Sequence, residues 1–416
     1  MLLVKCFAVA LAVWVALTVP VAAREIVLEF PSWQATEPGT MDFWKALIGE
    51  FERLHPGVRI DFYPVPFDVY VRTMLTRFAG GNPPDIVHLP ARDLWVFAEW
   101  LEPMDEELGD LIEKWIPLQR WCIDDAGNTI AFLVLGFGFV MVYNELLLKE
   151  AGIEHVPTTW DALLEAAVRI TDKDKGIWGY AIDTAGGTHT FDYLIAVVSI
   201  GLTGKNILSD DGEFREDVFR QTAEYIRALV DSGASPRGMS RLVCRELVVE
   251  GKAGFYIDGP WILAYLDMAK PELRPHLKLA LVPAAKEMGV AGGVSNSLSV
   301  PKGLDSQKRA LVYDFIRLLA TPEWQRKYAL IAGLPAPGGP GMFAPGELEE
   351  LRPELAVSFE AAALAVDFIP LCVKKVFPEY RRAITEPMMD YVLRGADLDL
   401  VVERARSNVA ALLKKD

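Results

Sequence analysis

The sequence predicts an α/β fold in two lobes, and three observations support this prediction. Short apolar runs alternate with amphipathic stretches, once before residue 100 and again after residue 130. Alternation of this kind is typical of βα units on a largely parallel sheet. Glycines interrupt the apolar run at 129–144, and no linker rich in Ser, Gly and Pro separates the two segments. We therefore expect two α/β lobes that are joined directly by crossing strands.

The composition is that of a globular protein, and its charge disfavours two classes of partner. The chain has 416 residues, of which 51% are hydrophobic and 24% are charged. This length allows about two or three domains. The formal net charge is −15, whereas nucleic acids and anionic membrane surfaces attract basic faces. We therefore expect no nucleic-acid or membrane-surface partner.

The first strands and helices follow the hydrophobic pattern closely. Apolar residues at 43, 44, 47, 48, 51 and 54 recur with the spacing of one helix face. Alternating or continuous apolar runs before and after this helix predict strands, and a Gly-Gly pair marks a helix end. The predicted order is strand 25–30, helix 41–54, strand 58–63, helix 68–81 and strand 83–89.

A second α/β segment begins near residue 130. It opens with the long apolar run, and a Thr residue precedes the first helical stripe in the position of a cap. The predicted elements are helix 158–171, strand 178–183, helix 215–233, and strands at 252–261, 276–284 and 292–303. Beyond residue 305 the pattern is mostly helical.

Residues 1–23 have the pattern of a secretory signal peptide. Lys5 precedes an apolar run that ends at 21–23 in Val-Ala-Ala, and small residues at these places are typical of a cleavage site. The run is short for a membrane span and Pro20 interrupts its end, which disfavours the alternative of an uncleaved anchor. We expect a periplasmic protein that begins at Arg24.

The sequence offers no motif for catalysis, metal binding or cofactor binding. Its histidines are scattered, and the nearest approach to a dinucleotide fingerprint, "GFGFVM", lacks the third glycine. After removal of a signal peptide three cysteines remain, Cys122, Cys244 and Cys372, at wide spacings that leave a single disulfide open. We therefore expect no cofactor, no metal and no enzymatic activity.

Four segments carry motifs of one known family in the right order. Residues 43–90 contain "HPGV" and "NPPDIV", and residues 129–171 contain "VYN" and "PTTWDAL". Residues 247–266 contain "EGKAGFYIDGPW", and residues 292–337 contain "FIRLLATPEWQ". The chain resembles the extracellular solute-binding proteins of bacterial ABC importers, in the sugar-binding cluster that includes maltose-binding protein. It departs from them in "LVLGFGF", where the family often has a polar or aromatic pair.

The resemblance implies a two-lobed periplasmic-binding-protein fold of the class II type, with the ligand in the cleft between discontinuous lobes. It places the N-terminal lobe at 24–136 plus 295–321 and the C-terminal lobe at 137–294 plus 322–416. The lobes would close over the ligand about joints near Gly136 and Gly138, near Gly292 and Gly293, and near residue 321. It implies no catalysis.

The strongest site candidates are residues that follow strands, because ligands in such sheets bind outside the carboxyl ends of strands. Trp33 and Gln34 follow the first strand. In "DGPW", Gly259 is expected to cap the next helix with Pro260 at its first position, which leaves Trp261 in the first turn. A flat aromatic there would stack on a sugar ring, whereas the alternative is core packing.

Further candidates surround these residues, and several have a structural alternative. Arg92 and Asp93 follow the third strand and either contact ligand or cap the next helix. Asp258 either accepts hydrogen bonds from the ligand or caps, and glycines at 292–293 permit a close backbone approach to a ligand. The remaining candidates are Phe137, Gly293, Ser295 and Asn296. Trp95 is expected to pack, and Asp85 to bind loop amides after Gly81.

These candidates predict the ligand class. They combine aromatic platforms with neutral and acidic groups, and Arg92 is their only base, although Lys374 and Arg381 are also placed to reach the cleft. We expect a monomeric receptor that captures a neutral mono- or oligosaccharide or polyol for a membrane permease. The alternatives left open are a receptor for a glycerophosphodiester, sugar phosphate or polyamine, and a secreted sugar-acting enzyme, which would need paired cleft carboxylates.

Overall fold

The structure is a computed structural model that describes residues 25–113, 115, 117–185, 188–337 and 342–414. The predicted signal peptide, residues 1–23, lies outside the described residues. Within the described ranges, no helix has both the length and the apolar character needed to cross a membrane. Cys122, Cys244 and Cys372 are free thiols, so the disulfide that the sequence left open is not formed.

The first part of the chain alternates strands and helices as predicted. The helix at residues 40–54 buries one face, which includes Phe43, Trp44 and Phe51. A short 3-10 segment, Ala91–Trp100, follows the third strand. The elements are β1 Ile26–Ser32, α1 Thr40–Leu54, β2 Val58–Pro64, α2 Phe67–Ala79, β3 Val87–Pro90 and α3 Asp105–Ile112.

The middle of the chain begins with two strands in place of the single apolar run at 129–144. Phe139 separates these two strands and is buried. The elements are β4 Phe132–Gly138, β5 Val140–Asn144, α4 Glu145–Glu150, α5 Trp160–Ile170, β6 Trp178–Tyr180, α6 Thr188–Thr203, α7 Glu216–Asp231, α8 Arg241–Val249, β7 Ala253–Asp258, α9 Ile262–Leu266, β8 Leu277–Leu281, α10 Ala285–Met288 and β9 Val290–Ser299.

The last part is mostly helical, as predicted, and adds one short strand. Asp305 caps the first of these helices by accepting hydrogen bonds from the backbone N–H groups of Gln307 and Lys308. The elements are α11 Ser306–Leu319, α12 Pro322–Lys327, α13 Glu347–Leu351, α14 Pro353–Ala363, β10 Ala365–Asp367, α15 Phe377–Arg394 and α16 Leu398–Leu412.

The strands form one parallel pair and two mixed sheets, so the predicted largely parallel arrangement is wrong. β1 and β2 are parallel. β9 runs antiparallel to β3 and β4 and parallel to β10. The remaining sheet has the order β6-β7-β5-β8, with β5 antiparallel to both of its neighbours. The antiparallel pairs all involve β4, β5 or β9, the strands that carry the chain between the sheets, and alternation along the sequence does not reveal their direction.

Two glycines bring the crossing strands into contact. Gly138 of β4 lies opposite Gly292 of β9. A Cβ atom on Gly292 would stand 2.1 Å from the carbonyl oxygen of Phe137, and one on Gly138 would stand 2.2 Å from the carbonyl oxygen of Ala361. No side chain tolerates such distances, so only glycine permits this packing. The close approach at these glycines is therefore to protein backbone.

Candidate functional site

A cavity lies at the carboxyl ends of β1, β3 and β7, where residues in or next to all three sheets meet. It encloses about 630 Å³ of empty space, open solvent at its mouth included. Its aromatic lining residues are Trp33, Phe67, Phe137, Tyr193, Trp261 and Phe368. Its charged lining residues are Glu37, Arg92, Arg241 and Arg245. The cavity therefore presents flat apolar surfaces together with hydrogen-bonding groups of both signs.

Six of the eleven predicted site residues line this cavity and five lie behind it. The lining residues are Trp33, Gln34, Arg92, Phe137, Trp261 and Ser295. The other five are Asp93, Asp258, Gly259, Gly293 and Asn296. All five are close neighbours of a lining residue in the chain. The predicted residues therefore cluster around the cavity, but only six of the eleven form its wall.

Asp258 holds the Trp261 ring in place. Its Oδ1 accepts hydrogen bonds from Trp261 Nε1 and from the backbone N–H of Gly259, both at 2.8 Å. Its Oδ2 accepts from Arg245 Nε at 2.7 Å. Burial raises the pKa of Asp258, but Arg245, Arg241 and the N–H of Gly259 together outweigh this effect, so the pKa is lowered overall. Both carboxylate oxygens are thus engaged within the protein, and Asp258 orients the indole ring.

Trp261 stands one residue before the helix and not within its first turn. α9 begins at Ile262 with Trp261 in the N-cap position, so the predicted helix start at Pro260 is wrong. The side chain folds back over Gly259, where a Cβ atom would lie 2.3 Å from the ring. Its ring centroid is 5.0 Å from that of Phe137. Gly259 therefore makes room for the ring and does not act as a cap.

The residues after β1 are positioned by hydrogen bonds and stacking. Ser32 caps the short turn at 33–35 by accepting from the N–H of Gln34, whose Oε1 accepts from Trp44 Nε1 at 2.7 Å. Trp33 stacks on His88 with ring centroids 4.3 Å apart. Burial lowers the pKa of His88 to about 3, so the imidazole is neutral at pH 7. One face of the indole is thus covered by a neutral ring.

Arg92 is buried between the two halves of the site. Its guanidinium lies 3.6 Å from Asp93 and 3.7 Å from Asp192, and its Cζ stands 5.1 Å from the ring centroid of Tyr193. Burial lowers the pKa of Arg92, but Tyr193 and the two carboxylates outweigh it, so the pKa is raised. The 3-10 segment that contains Arg92 and Asp93 has no side-chain cap, so the capping alternative does not hold.

The polar residues of β9 occupy different environments. Ser295 lines the cavity, whereas Asn296 is fully buried in the sheet, where its side-chain amide has no hydrogen-bond partner among the described residues. At Gly293 a Cβ atom would lie 3.0 Å from Asp367 Oδ1. The sequence predicted that a ligand approaches the backbone at Gly293. In the structure the neighbouring strand β10 packs against this part of β9 instead.

Three other predictions can be compared with the structure directly. Trp95 packs, as predicted, with Lys374 Nζ 3.9 Å from its ring centroid, and Lys374 is therefore engaged outside the cavity. Asp85 is structural but binds different partners from those predicted. It accepts from the N–H of Glu29 and from Lys308 Nζ, both at 2.8 Å, because β3 runs beside β1.

The sequence interpretation missed several lining residues. Arg241 and Arg245 are four residues apart on α8, hence on one face, and this spacing was an available signal. Glu37 opposes them: desolvation raises its pKa, and both arginines partly offset that rise. Tyr193 and Phe368 come from α6 and from the segment after β10. Nothing local to those two residues indicates that they meet at the cavity.

A second, smaller cavity adjoins the first between α6 and α15, and we call it the side chamber. It encloses about 390 Å³ of empty space and shares Phe368 with the main cavity. Its polar lining includes Asp192, Ser199, Asn206, Arg381 and Thr385. For Arg381 the sequence left contact with the cleft open, and the structure places this residue in the side chamber and not in the main cavity.

Strands that cross between α/β sheets, with an aromatic cavity where the sheets meet, define a two-lobed periplasmic binding protein, and the predicted fold class is confirmed. Residues 34–326 match the family described as bacterial extracellular solute-binding protein. The chain belongs to this family and is the solute-binding component of an ABC transporter. The predicted family, including its sugar-binding cluster, is confirmed.

Three relatives illustrate the similarity. A protein of Brucella abortus (strain 2308), described only as a binding protein, is 24% identical over 381 residues, 88% of each chain. The maltotriose-binding protein of Pyrococcus abyssi is 25% identical over 266 residues, 59% of this chain and 53% of that one. The GacH receptor of Streptomyces glaucescens, solved without ligand and with acarbose, superposes with a TM-score of 0.80 at 20% identity, covering 93% of this chain and 98% of the receptor. All three are binding proteins and not enzymes.

Proposed function

We propose that this protein captures a neutral carbohydrate or polyol in the main cavity and delivers it to membrane permease subunits without chemical change. The observation that carries the proposal is the pairing of Trp261 with Phe137 beside hydrogen-bonding groups. Sugars and polyols have apolar C–H surfaces and several hydroxyls, so they match aromatic walls with a few polar groups.

The charges of the cavity favour a neutral ligand. Arg245 is paired with Asp258, and Arg92 lies between Asp93 and Asp192. Since each of these cations has its counter-charge within the protein, neither needs an anionic ligand for compensation. A sugar phosphate is expected to require uncompensated donors, and a polyamine an excess of carboxylates. Here the charges of Arg92 and Arg245 are compensated. The third arginine, Arg241, lies close enough to Glu37 to offset part of the rise that burial causes in the pKa of that residue, and Glu37 is the only carboxylate among the described lining residues.

The relatives support the carbohydrate class. One is a maltotriose-binding protein by name, and the GacH receptor was solved in complex with acarbose. Both names concern those proteins, which are 25% and 20% identical to this chain. We therefore propose the class of ligand and leave its size, from monosaccharide to oligosaccharide, to the screen below.

A thermal-shift screen tests the proposal directly. The panel contains maltotriose, maltose, D-sorbitol, glucose 6-phosphate and spermidine. A ligand present at a hundred times its Kd stabilises the fold by about 2.7 kcal/mol. We expect at least one neutral compound to raise the melting temperature, with no effect of the phosphate or the polyamine. A shift with only glucose 6-phosphate or spermidine would favour the corresponding alternative, and turnover of maltotriose would favour an enzyme.

Substitution of Trp261 localises the binding site. Trp261→Ala is expected to weaken the binding of the best saccharide of this panel by about 2–4 kcal/mol, the range for loss of a buried aromatic anchor. Trp178→Ala is the matched control, because Trp178 pairs with Ala253 at the opposite end of β7. Unchanged affinity in a folded Trp261→Ala protein would mean that this residue only packs.

We further propose that the protein acts in the periplasm as a monomer after removal of residues 1–23. The support is the Val-Ala-Ala sequence at 21–23 and the extracellular character of the family. The lobe boundaries given above belong to the same proposal. An intact mass that begins at Arg24 in protein from the native host would support it, and a mass that includes residues 1–23 would contradict it.

A further inference from the structure

The side chamber contains a cluster of buried polar atoms without hydrogen-bond partners among the described residues, although Asp192 keeps an ion pair with Arg92 at 3.7 Å. Asp192 and Arg381 are 8% and 6% exposed, and Thr385 is 1% exposed. Both carboxylate oxygens of Asp192, the Nε and Nη1 atoms of Arg381, and the hydroxyl of Thr385 have no hydrogen-bond partner among the described residues. Buried polar atoms are almost always satisfied, so a cluster of five such atoms calls for something that binds there.

Thr385 shows that the chamber is not a packing defect. A buried threonine within a helix ordinarily donates its hydroxyl to the carbonyl four residues earlier. Thr222 does so to Val218 at 2.7 Å in α7, and Thr73 to Val69 at 2.9 Å in α2. Thr385 of α15 makes no such bond, although it lines the chamber. Its hydroxyl remains available to an occupant of the chamber.

The unpartnered atoms comprise both donors and acceptors. Arg381 only donates hydrogen bonds, Asp192 accepts them when ionised, and Thr385 does either. A hydroxyl group both donates and accepts, so a pair of hydroxyls can bind the guanidinium and the carboxylate at once. We propose that the side chamber is a second ligand subsite, which takes a neutral polyhydroxyl group such as the diol end of a polyol or sugar.

An anionic group fits the chamber less well. A carboxylate or phosphate would accept from Arg381 but would leave Asp192 without a donor and would bring like charges together. Arg92 adds a positive charge 3.7 Å from Asp192, and Asp93 compensates that charge because it lies 3.6 Å from Arg92. The charges therefore favour an uncharged occupant, in agreement with the neutral ligand of the proposed function, on which this inference rests.

The chamber lies next to the main site, because Phe368 lines both cavities. Arg92 lines the main cavity and contacts Asp192 of the chamber, so it joins the two polar networks. A ligand that stacks on Trp261 and extends past Phe368 would occupy both. A six-carbon polyol carries a diol at each end, which makes it a suitable probe.

Two probes of equal length test the class of occupant. D-Sorbitol and D-gluconate share a six-carbon polyhydroxyl chain and differ in one terminal carboxylate. Isothermal titration of the full-length protein is expected to show binding of D-sorbitol, with D-gluconate at least about tenfold weaker, because its charge meets Asp192. Equal or tighter binding of D-gluconate would overturn the neutral class.

Two variants test the location of the subsite. Thr385→Val removes the free hydroxyl at nearly constant shape and is expected to weaken D-sorbitol about tenfold, the effect of one lost hydrogen bond at a buried site. Thr222→Val is the matched control: it is the same substitution at a buried helical threonine that lines neither cavity and whose hydroxyl donates to the carbonyl of Val218 at 2.7 Å. Its Kd should stay within about twofold of wild type. The melting temperatures of both variants verify that they fold.

The outcomes separate this inference from the proposed function. If maltotriose or maltose binds and this binding depends on Trp261, the proposed function is retained. If, in the same experiments, D-sorbitol does not bind, or binds equally well to Thr385→Val, the subsite is overturned. A crystal structure with D-sorbitol that shows only ordered water in the chamber would also overturn it. Failure of every neutral compound in the screen would instead reject the proposed function.

Discussion

The indole ring of Trp261 lies directly over the α-carbon of Gly259, two residues earlier in the chain. A methyl group on Gly259 would stand 2.3 Å from two carbons of that ring, well inside contact distance. The pair is held by Asp258, which accepts hydrogen bonds from Trp261 Nε1 and from the N–H of Gly259. The aromatic wall of the cavity therefore depends on a glycine that does not itself line the cavity.

Gly259→Ala is expected to displace the Trp261 ring and weaken the saccharide bound in the main cavity about tenfold, or about 1.4 kcal/mol. Titration calorimetry measures this effect. Gly49→Ala is the control, because a Cβ at Gly49 meets nothing within 4 Å and a helical glycine gains stability, about 0.4–1 kcal/mol, on this change. Wild-type affinity in Gly259→Ala would show that the ring position is not needed for binding.

Arg245→Met is expected to destabilise the fold by about 3–5 kcal/mol. Arg245 and Asp258 form a pair at 2.7 Å with side chains only 4% and 3% exposed, so removal of one partner leaves an uncompensated buried charge. Urea denaturation measures the change. The double variant Arg245→Met/Asp258→Asn should recover part of the loss, and a single variant as stable as the wild type would contradict this account.

His88 is expected to make the fold sensitive to acid. Burial lowers the pKa of His88 from 6.5 to about 3, so the unfolded chain binds a proton that the folded chain does not. The contribution of His88 to the free energy of unfolding is therefore fully present above pH 6.5. It is lost as pH falls toward 3, with a slope of at most about 1.4 kcal/mol per pH unit. His88→Asn, which can keep the bond from the Nδ1 position to Ser32, should lose this slope in urea denaturation from pH 7 to 4. An equal slope in the variant would assign it elsewhere.

Ionisation of Asp192 is expected to lower the free energy of unfolding as pH rises, the opposite of the effect of His88. Burial raises the pKa of Asp192 to about 6 from 3.8, so its contribution to stability is fully present below pH 3.8 and is lost as pH rises through 6. Asp192→Asn cannot ionise and is expected to be more stable than wild type above pH 6, by up to about 3 kcal/mol. The two proteins should converge near pH 4. No gain in urea denaturation at pH 7.5 would contradict the raised pKa.

Ligand binding is expected to compact the molecule. Arg241 stands 5.8 Å from the ring centroid of Phe67, and Arg92 contacts Asp192, so contacts join the two proposed lobes across the cavity. A ligand that touches both sides favours the closed state by its differential affinity. Small-angle scattering should show a smaller radius of gyration with saturating maltotriose in wild type. An unchanged radius at saturation would count against hinge closure.

The local pattern of the chain was sufficient to predict many of the helices and strands, and it also indicated several residues that line the cavity. Apolar residues at helical spacing predicted α1, which the structure begins at Thr40 and ends at Leu54. The turn after β7 and the residues after β1 were recognised because strand ends carry ligands in α/β sheets. The helix prediction is confirmed because periodicity reports on segments of about ten to fifteen residues, whereas ligand contact by the strand-end residues stays a prediction.

The partners of those anchors were decided by the tertiary structure. Asp258 was predicted to meet either ligand or helix end, but α8 brings Arg245 against it. Asp192 and Arg381 are far apart in sequence and meet only because α6 packs on α15. The sequence alone determined which residues stand at strand ends and which face of each helix is apolar. Which buried charges are paired within the protein depends on packing between distant segments. Local sequence patterns do not contain this information, because they extend over only a few turns of chain.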